Sequence, residues 1–156
     1  MLSSKGSWKT IKTILAVLGV LIIFWTAFIF ARSLKSAEDS TMESAFFLTL
    51  IRRFLPSVSM HLIRKLAHFT EFFLLGCLSC AFFLRAFRKK DIPARLGISI
   101  SLVYCLAAAV TDELLQLSSP GRSCQVKDML LDFAGSAAGI LLYALAFVLI
   151  RRRKQE

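Results

Sequence analysis

The sequence predicts an all-α, polytopic membrane protein: a four-transmembrane-helix bundle with an amphipathic helix in an outer loop. Of its 156 residues, 56% are hydrophobic, and the mean hydropathy is +0.66, which is too apolar for an ordinary soluble domain. Four apolar stretches have about the 20 residues that a helix needs to cross a bilayer. They cover residues of about 13–31, 66–87, 96–117 and 129–150, within a single membrane domain over 1–156.

The first apolar stretch resembles a secretion signal, because Lys5, Lys9 and Lys12 precede it. It is longer than the apolar region of most signal peptides, and no clear small-residue cleavage site precedes Arg32. We therefore predict a retained membrane anchor.

The loop after the first span is not simply polar. Apolar side chains recur in it at helical spacing: Phe47, Leu50, Ile51 and Phe54. This pattern predicts an amphipathic helix at about residues 42–55, lying on the outer interface and ended by Pro56. Such a helix would cover the bundle or act as a lid over a site.

The later spans are joined by short connections. A basic loop containing Pro93 joins the second and third spans, which predicts antiparallel neighbours. The turn at Pro120 and Gly121 joins the third and fourth. In the fourth span, Gly135 and Gly139 lie four residues apart, a spacing that lets helix backbones approach closely. We expect them to serve packing within the chain rather than dimerisation.

The charge distribution predicts the orientation. The chain carries a formal net charge of +10 from 20 Lys and Arg residues and 10 acids. Placing the N-terminus in the cytoplasm puts twelve of the basic residues on the inner side and eight outside, as the positive-inside rule requires. We therefore expect a multi-pass protein of a bacterial plasma membrane with both termini cytoplasmic. Attraction to anionic lipid at the inner leaflet accounts for the net positive charge. No nucleic-acid partner is therefore predicted.

Polar residues cluster in three of the predicted spans. Lys65, His68 and Glu71 share one helix face, since three-residue steps keep them within an arc of about 120°. Other acids lie near the end of the third span and the start of the fourth: Asp112, Glu113, Asp128 and Asp132. Alternating topology puts all of these positions at the outer side, with the carboxylates about 8–9 Å below the helix mouths. One polar cavity, open to the outside, is the expected result.

The candidate site residues follow from that cavity. The acid/base candidates are His68, Glu71, Asp112 and Glu113. The ligand-binding candidates are Lys65, Gln116, Arg122, Asp128 and Asp132. Buried charges must be paired or neutralised, so the excess of acids indicates a protonated carboxylate, a bound cation or a cationic ligand. An ion-pair network that only joins three helices is the simpler alternative.

No cofactor and no metal site is predicted outright. A divalent cation is a minor alternative, because His68, Glu71, Asp112 and Asp132 together offer oxygen-rich ligation that suits Mg²⁺, Ca²⁺ or Mn²⁺. A compact metal motif such as HExxH does not occur in the sequence.

The same residues give the chain a family resemblance. Four motifs occur in order: Lys65-x-x-His68-x-x-Glu71, Thr111-Asp112-Glu113-x-x-Gln116, Pro120-Gly121-Arg122 and Asp128-x-x-x-Asp132-x-x-Gly135-x-x-x-Gly139. In this order and spacing they resemble the VanZ-like family of small bacterial membrane proteins. Two positions depart from the family pattern. Phe72 stands where the family usually has Tyr, and Asp132 where it usually has Asn.

The resemblance implies a role in the cell envelope. The family is named after a protein linked to low-level teicoplanin resistance, and it has no settled biochemical activity. The first functional hypothesis is a protein that binds a membrane lipid or a lipid-linked cell-wall intermediate, with Lys65 and Arg122 engaging its head group. The alternatives are an intramembrane acid/base enzyme acting on a head group, an ion-coupled transporter, and a structural protein that forms homo-oligomers or binds another membrane protein.

Overall fold

The computed structural model describes residues 3–53, 57–88 and 93–153 of the chain. Within these ranges the chain forms α-helices and no strand, so the all-α prediction is confirmed. The helices are α1 (Ser3–Ser33), α2 (Ala37–Arg52), α3 (Met60–Arg88), α4 (Ala94–Gln116) and α5 (Val126–Arg153).

Four of these helices are long and apolar enough to cross a membrane, which confirms the predicted number of spans. The spans are Trp8–Ser33, Met60–Phe87, Ala94–Gln116 and Val126–Ile150. Large apolar side chains on them remain exposed, among them Ile23 on α1, Val103 on α4 and Leu141 on α5. Such surfaces are suited to contact with lipid rather than water.

The helix bounds differ from the predicted ones in two places that affect the site. α3 begins at Met60, so Lys65 lies more than one turn inside the helix rather than at its mouth. α2 begins at Ala37 instead of about residue 42, because the Ser36 hydroxyl caps it by accepting a hydrogen bond from the Asp39 amide at 3.1 Å. The predicted end of this helix at 54–56 and most of the basic loop, 89–92, lie outside the described residues.

α3 is the central helix, and its most extensive interface is with α5. Glycines let the two backbones meet. A Cβ atom on Gly135 would lie 2.5 Å from the Phe69 carbonyl oxygen, and one on Gly139 would overlap the Phe73 carbonyl. The glycine face of α5 is therefore covered inside the bundle by α3 and is not available to a partner chain.

α1 is fixed to the bundle by polar contacts in an otherwise apolar interface. The Trp25 indole donates to the Glu71 carbonyl oxygen at 2.9 Å, and the hydroxyls of Thr26 and Tyr104 lie 2.7 Å apart. These contacts set the rotation of α1 against α3 and α4. As a result, the end of α1 lies at the same end of the bundle as the start of α3, the end of α4 and the start of α5.

Candidate functional site

A polar pocket of about 190 Å³ lies at this end of the bundle. Its walls come from α3, α4, α5 and the α4–α5 loop. The lining residues are His61, Arg64, Lys65, His68, Glu113, Gln116, Gly121, Arg122, Ser123, Gln125, Asp128, Leu131 and Asp132. Seven of the nine acid/base and ligand-binding residues chosen from the sequence are among them. The other two, Glu71 and Asp112, do not line this pocket.

Lys65 and Asp128 bridge α3 and α5 at the rim. The Lys65 Nζ atom lies 3.2 Å from Asp128 Oδ1, and about a third of each side chain is exposed. Surface pairs of this kind contribute little to stability, about 0–1 kcal/mol. The pair nevertheless engages the Lys65 ammonium, which the sequence suggested as a head-group ligand.

Hydrogen bonds hold the two α4 acids in place. The Gln116 amide donates to Asp112 Oδ2 and to Glu113 Oε1, both at 3.1 Å. The Ser33 hydroxyl donates to Asp112 Oδ1 at 2.6 Å, and the Gln125 backbone amide donates to Glu113 Oε2 at 2.9 Å. Both carboxylates are thus oriented by groups from neighbouring elements. Asp112 is fully buried behind the pocket wall instead of lining it.

The α4–α5 loop is tied to the end of α1. Gly121 adopts a φ of 75°, in the left-handed region that favours glycine. Before it, the Ser119 hydroxyl donates to the Ser33 carbonyl oxygen at 2.9 Å. After it, the Arg122 guanidinium donates to the same oxygen at 3.4 Å. The loop therefore turns Arg122 back over the pocket.

Two guanidinium groups meet at the pocket. Arg64 donates to the Thr41 hydroxyl of α2 at 2.8 Å, and its buried Nε has no hydrogen-bond partner among the described residues. Burial, and next the charge of Arg64, lowers the pKa of Arg122, although nearby acids oppose that shift. Neither arginine forms a salt bridge with an acid in the described ranges of the chain. The pair therefore offers donors and positive charge to an anion.

Glu71 is separated from the pocket that His68 lines. It is ion-paired with Arg32 of α1 and lies beside a second, mainly apolar pocket of about 390 Å³. The apolar walls of this second pocket include Trp25, Phe28, Leu66 and Leu74. Helical spacing alone placed Glu71 with His68, but the packing of α1 against α3 gives Glu71 a cation of its own.

His68, Asp112 and Asp132 form a compact cluster at the base of the polar pocket, where His68 and Asp132 line the pocket and Asp112 lies behind its wall. The His68 Nδ1 atom lies 4.0 Å from Asp112 Oδ2 and 4.0 Å from Asp132 Oδ1. Both carboxylates are fully buried. α3, α4 and α5 each supply one member of this cluster.

Comparison with known proteins identifies the family. The sequence model of the VanZ/LLP1 family matches residues 18–148, from within α1 to near the end of α5. The chain belongs to the VanZ/LLP1 family. Together with the four candidate spans, this membership indicates a multi-pass membrane protein. Neither a search of curated proteins nor one of solved structures finds a match.

The surroundings of Phe72 show what a phenylalanine means at a position where the family resemblance suggests tyrosine. This side chain is fully buried in the apolar core with Leu75 and lines neither pocket. The missing tyrosine hydroxyl therefore does not alter the walls of either pocket. Asp132, the other departure, adds an acid at the pocket base.

Sequence reasoning missed three polar residues of this VanZ/LLP1 protein that lie outside its motifs. Arg32 pairs with Glu71, Ser33 binds Asp112, and Arg64 lines the pocket beside Arg122. A signal was present for the first two, because they end the first span on the side where the acids of the later spans were expected. Arg64 directly precedes Lys65 in the first motif, but it has no place in the motif itself.

Proposed function

We propose that this VanZ/LLP1 protein binds the phosphate-bearing head group of a membrane lipid or a lipid-linked cell-wall intermediate in its polar pocket. The observation that carries the proposal is the pair of guanidinium groups, Arg64 and Arg122, at a pocket within a largely apolar bundle. Two like charges held together repel each other, and an anion between them relieves that repulsion.

The chemistry of arginine fits this ligand. A guanidinium presents a rigid fork of N–H donors that matches phosphate oxygens, and it stays charged when partly buried. Among the described residues, the buried Nε of Arg64 has no hydrogen-bond partner, and the Arg122 guanidinium donates to the backbone carbonyl of Ser33 alone. Lys65, engaged by Asp128, has the smaller role.

The second pocket supports a lipid rather than free phosphate as the ligand. It lies on a neighbouring face of α3, between α1 and α2, and its walls are mainly apolar. An acyl chain could occupy such a groove while the head group reached the arginines. Leu66 and Leu74, which are exposed on this face, would contact the chain.

Arg122→Gln is expected to reduce the amount of lipid that co-purifies with the protein by about tenfold or more, since hydrogen bonds to charged groups contribute about 1.5–3 kcal/mol. Arg64→Gln should have a similar effect. The measurement is native mass spectrometry of the full chain in mild detergent. Arg95→Gln is the matched control, because Arg95 is exposed near the start of α4, at the opposite end of the bundle.

Two outcomes would contradict this proposal. If Arg122→Gln and Arg64→Gln retained as much lipid as Arg95→Gln and the wild type, the two arginines would not hold a head group. Binding of inorganic phosphate, with no lipid in an organic extract of the wild-type protein, would identify a free anion as the ligand. The variants should elute as monodisperse species, so that loss of lipid is not confused with loss of fold.

We extend the proposal to orientation and to resistance. With both termini in the cytoplasm, the pocket faces the outer leaflet, where lipoglycopeptides such as teicoplanin act on cell-wall precursors. Expression of the chain in a susceptible bacterium should then reduce teicoplanin susceptibility, and Arg122→Gln should abolish that effect at equal abundance. Labelling of a Ser118→Cys, Cys124→Ser variant by an impermeant thiol reagent in intact cells tests the orientation, because Ser118 is exposed in the α4–α5 loop, which contributes residues to the pocket.

An intramembrane acid/base enzyme is the second candidate, supported by His68 lying beside two carboxylates. A histidine and a neighbouring acid can transfer protons to and from a head group. The His68→Gln and Asp112→Asn changes, both at this cluster, separate the candidates. A changed envelope lipid profile at normal protein abundance favours chemistry, whereas reduced lipid content of the purified protein with an unchanged profile favours binding.

A further inference from the structure

We infer that His68, Asp112 and Asp132 bind a divalent metal cation at the base of the polar pocket. This inference goes beyond lipid binding and does not depend on it, because the three ligands are distinct from the arginines at the pocket. Three features support the site: the spacing of the side chains, an Asp132 carboxylate without a hydrogen-bond partner among the described residues, and the groups that hold Asp112.

The spacing suits a single ion. One ligand atom from each of the three side chains lies within 4.8 Å of the others. The His68 Nδ1 atom is 4.0 Å from a carboxylate oxygen of each aspartate. Metal–ligand distances of about 2.0–2.4 Å allow ligands on opposite sides of an ion to lie about 4–4.8 Å apart. An ion at the centre of the cluster could therefore contact all three side chains with small adjustments.

Asp132 provides an independent indication of a ligand. Its side chain is fully buried, and neither carboxylate oxygen has a hydrogen-bond partner among the residues that the structure describes. His68 Nδ1 is likewise buried without a hydrogen-bond partner in the described part of the chain. Buried polar groups are nearly always hydrogen-bonded, and buried charges are paired or coordinate metals. A cation between these two residues satisfies both at once.

Asp112 already has the supporting contacts of a metal ligand. Ser33 donates to its Oδ1 at 2.6 Å, and Gln116 donates to its Oδ2 at 3.1 Å. Ligating carboxylates are commonly held by such outer hydrogen bonds, which fix their orientation. The carboxylate thus remains oriented toward the cluster in the absence of an ion.

The ligand set favours particular metals. One imidazole with two carboxylates suits Mn²⁺ or Zn²⁺ better than Mg²⁺ or Ca²⁺, which prefer oxygen ligands alone. Arg64 and Arg122 line the same pocket, and their positive charge opposes cation binding. Removing one of these charges should therefore preserve or tighten metal binding.

The test uses the purified full-length chain in detergent, stripped with a chelator and kept in phosphate-free buffer. Added MnCl₂ or ZnCl₂ is expected to give about one bound ion per chain by elemental mass spectrometry, as a single site requires. At a hundredfold excess over Kd, it should raise the melting temperature by about 5–10 °C. Asp132→Asn and His68→Gln should each weaken binding by at least about tenfold.

The controls separate metal binding from loss of fold and from lipid binding. Asp39→Asn, an exposed acid on α2, should bind metal like the wild type. Arg122→Gln should lose lipid but retain metal, so the two proposals can fail separately. Melting temperatures without metal show whether Asp132→Asn still folds, and His68→Gln provides a second test if it does not. The inference is overturned if the wild type binds neither ion at 1 mM, or if both ligand variants bind as tightly as it does.

Discussion

Replacing Gly139 with leucine is expected to destabilise the bundle by about 3 kcal/mol or more, toward the upper end of the cost of overpacking. A Cβ atom at this position would overlap the Phe73 carbonyl of α3, and backbone cannot move aside as the end of a flexible side chain can. The two helices would have to separate along their most extensive interface. Thermal unfolding in detergent, together with the amount of monodisperse protein, measures the effect.

Ala134→Leu is the matched control for this substitution. Ala134 lies on the same helix but is exposed, so the larger side chain should face lipid at a cost of less than about 0.5 kcal/mol. Gly139→Ala should fall between the two. If Gly139→Leu unfolded at the same temperature as Ala134→Leu, the close approach of α3 and α5 would be wrong.

Hydropathy predicted the four spans because each has an apolar run of membrane-spanning length. It could not predict where the helices begin, since polar residues can continue a helix beyond its apolar part. At the start of α3, the helix continues through the basic Arg64 and Lys65 back to Met60, beyond the apolar run that begins at Leu66. The early start of α2 depends on the Ser36 cap, a local hydrogen bond that the spacing of apolar residues does not indicate.

Motif spacing predicted much of the candidate site because three helices contribute polar residues near the same end. Lys65 does meet Asp128, and His68 lies near Asp132, across the α3–α5 interface. The sequence could not predict how α1 is rotated, because its apolar residues are spread around the helix. The partners supplied by Arg32 and Ser33 were therefore missed, and Glu71 was assigned to the wrong neighbours.

Arg32→Met is expected to destabilise the protein by about 2–4 kcal/mol, because it leaves the buried Glu71 charge in an apolar setting. Glu71→Ala should cost less, because the Arg32 side chain is 28% exposed. Glu71 is only 7% exposed, and Arg32 reaches it from α1 beside the apolar pocket. The double variant should cost less than the sum of the two single changes. Chemical unfolding of all four proteins in the same detergent gives this coupling energy.

The rim pair provides the comparison that decides whether burial sets this cost. Lys65 and Asp128 also join two helices at the same end of the bundle, but about a third of each side chain is exposed. Asp128→Asn should therefore cost about 1 kcal/mol or less, because solvent screens the charge that remains. Equal losses for Asp128→Asn and Arg32→Met would contradict the placement of Glu71 in an apolar setting. A much larger loss for Arg32→Met would show that the Glu71 carboxylate anchors α1 to α3 through this pair.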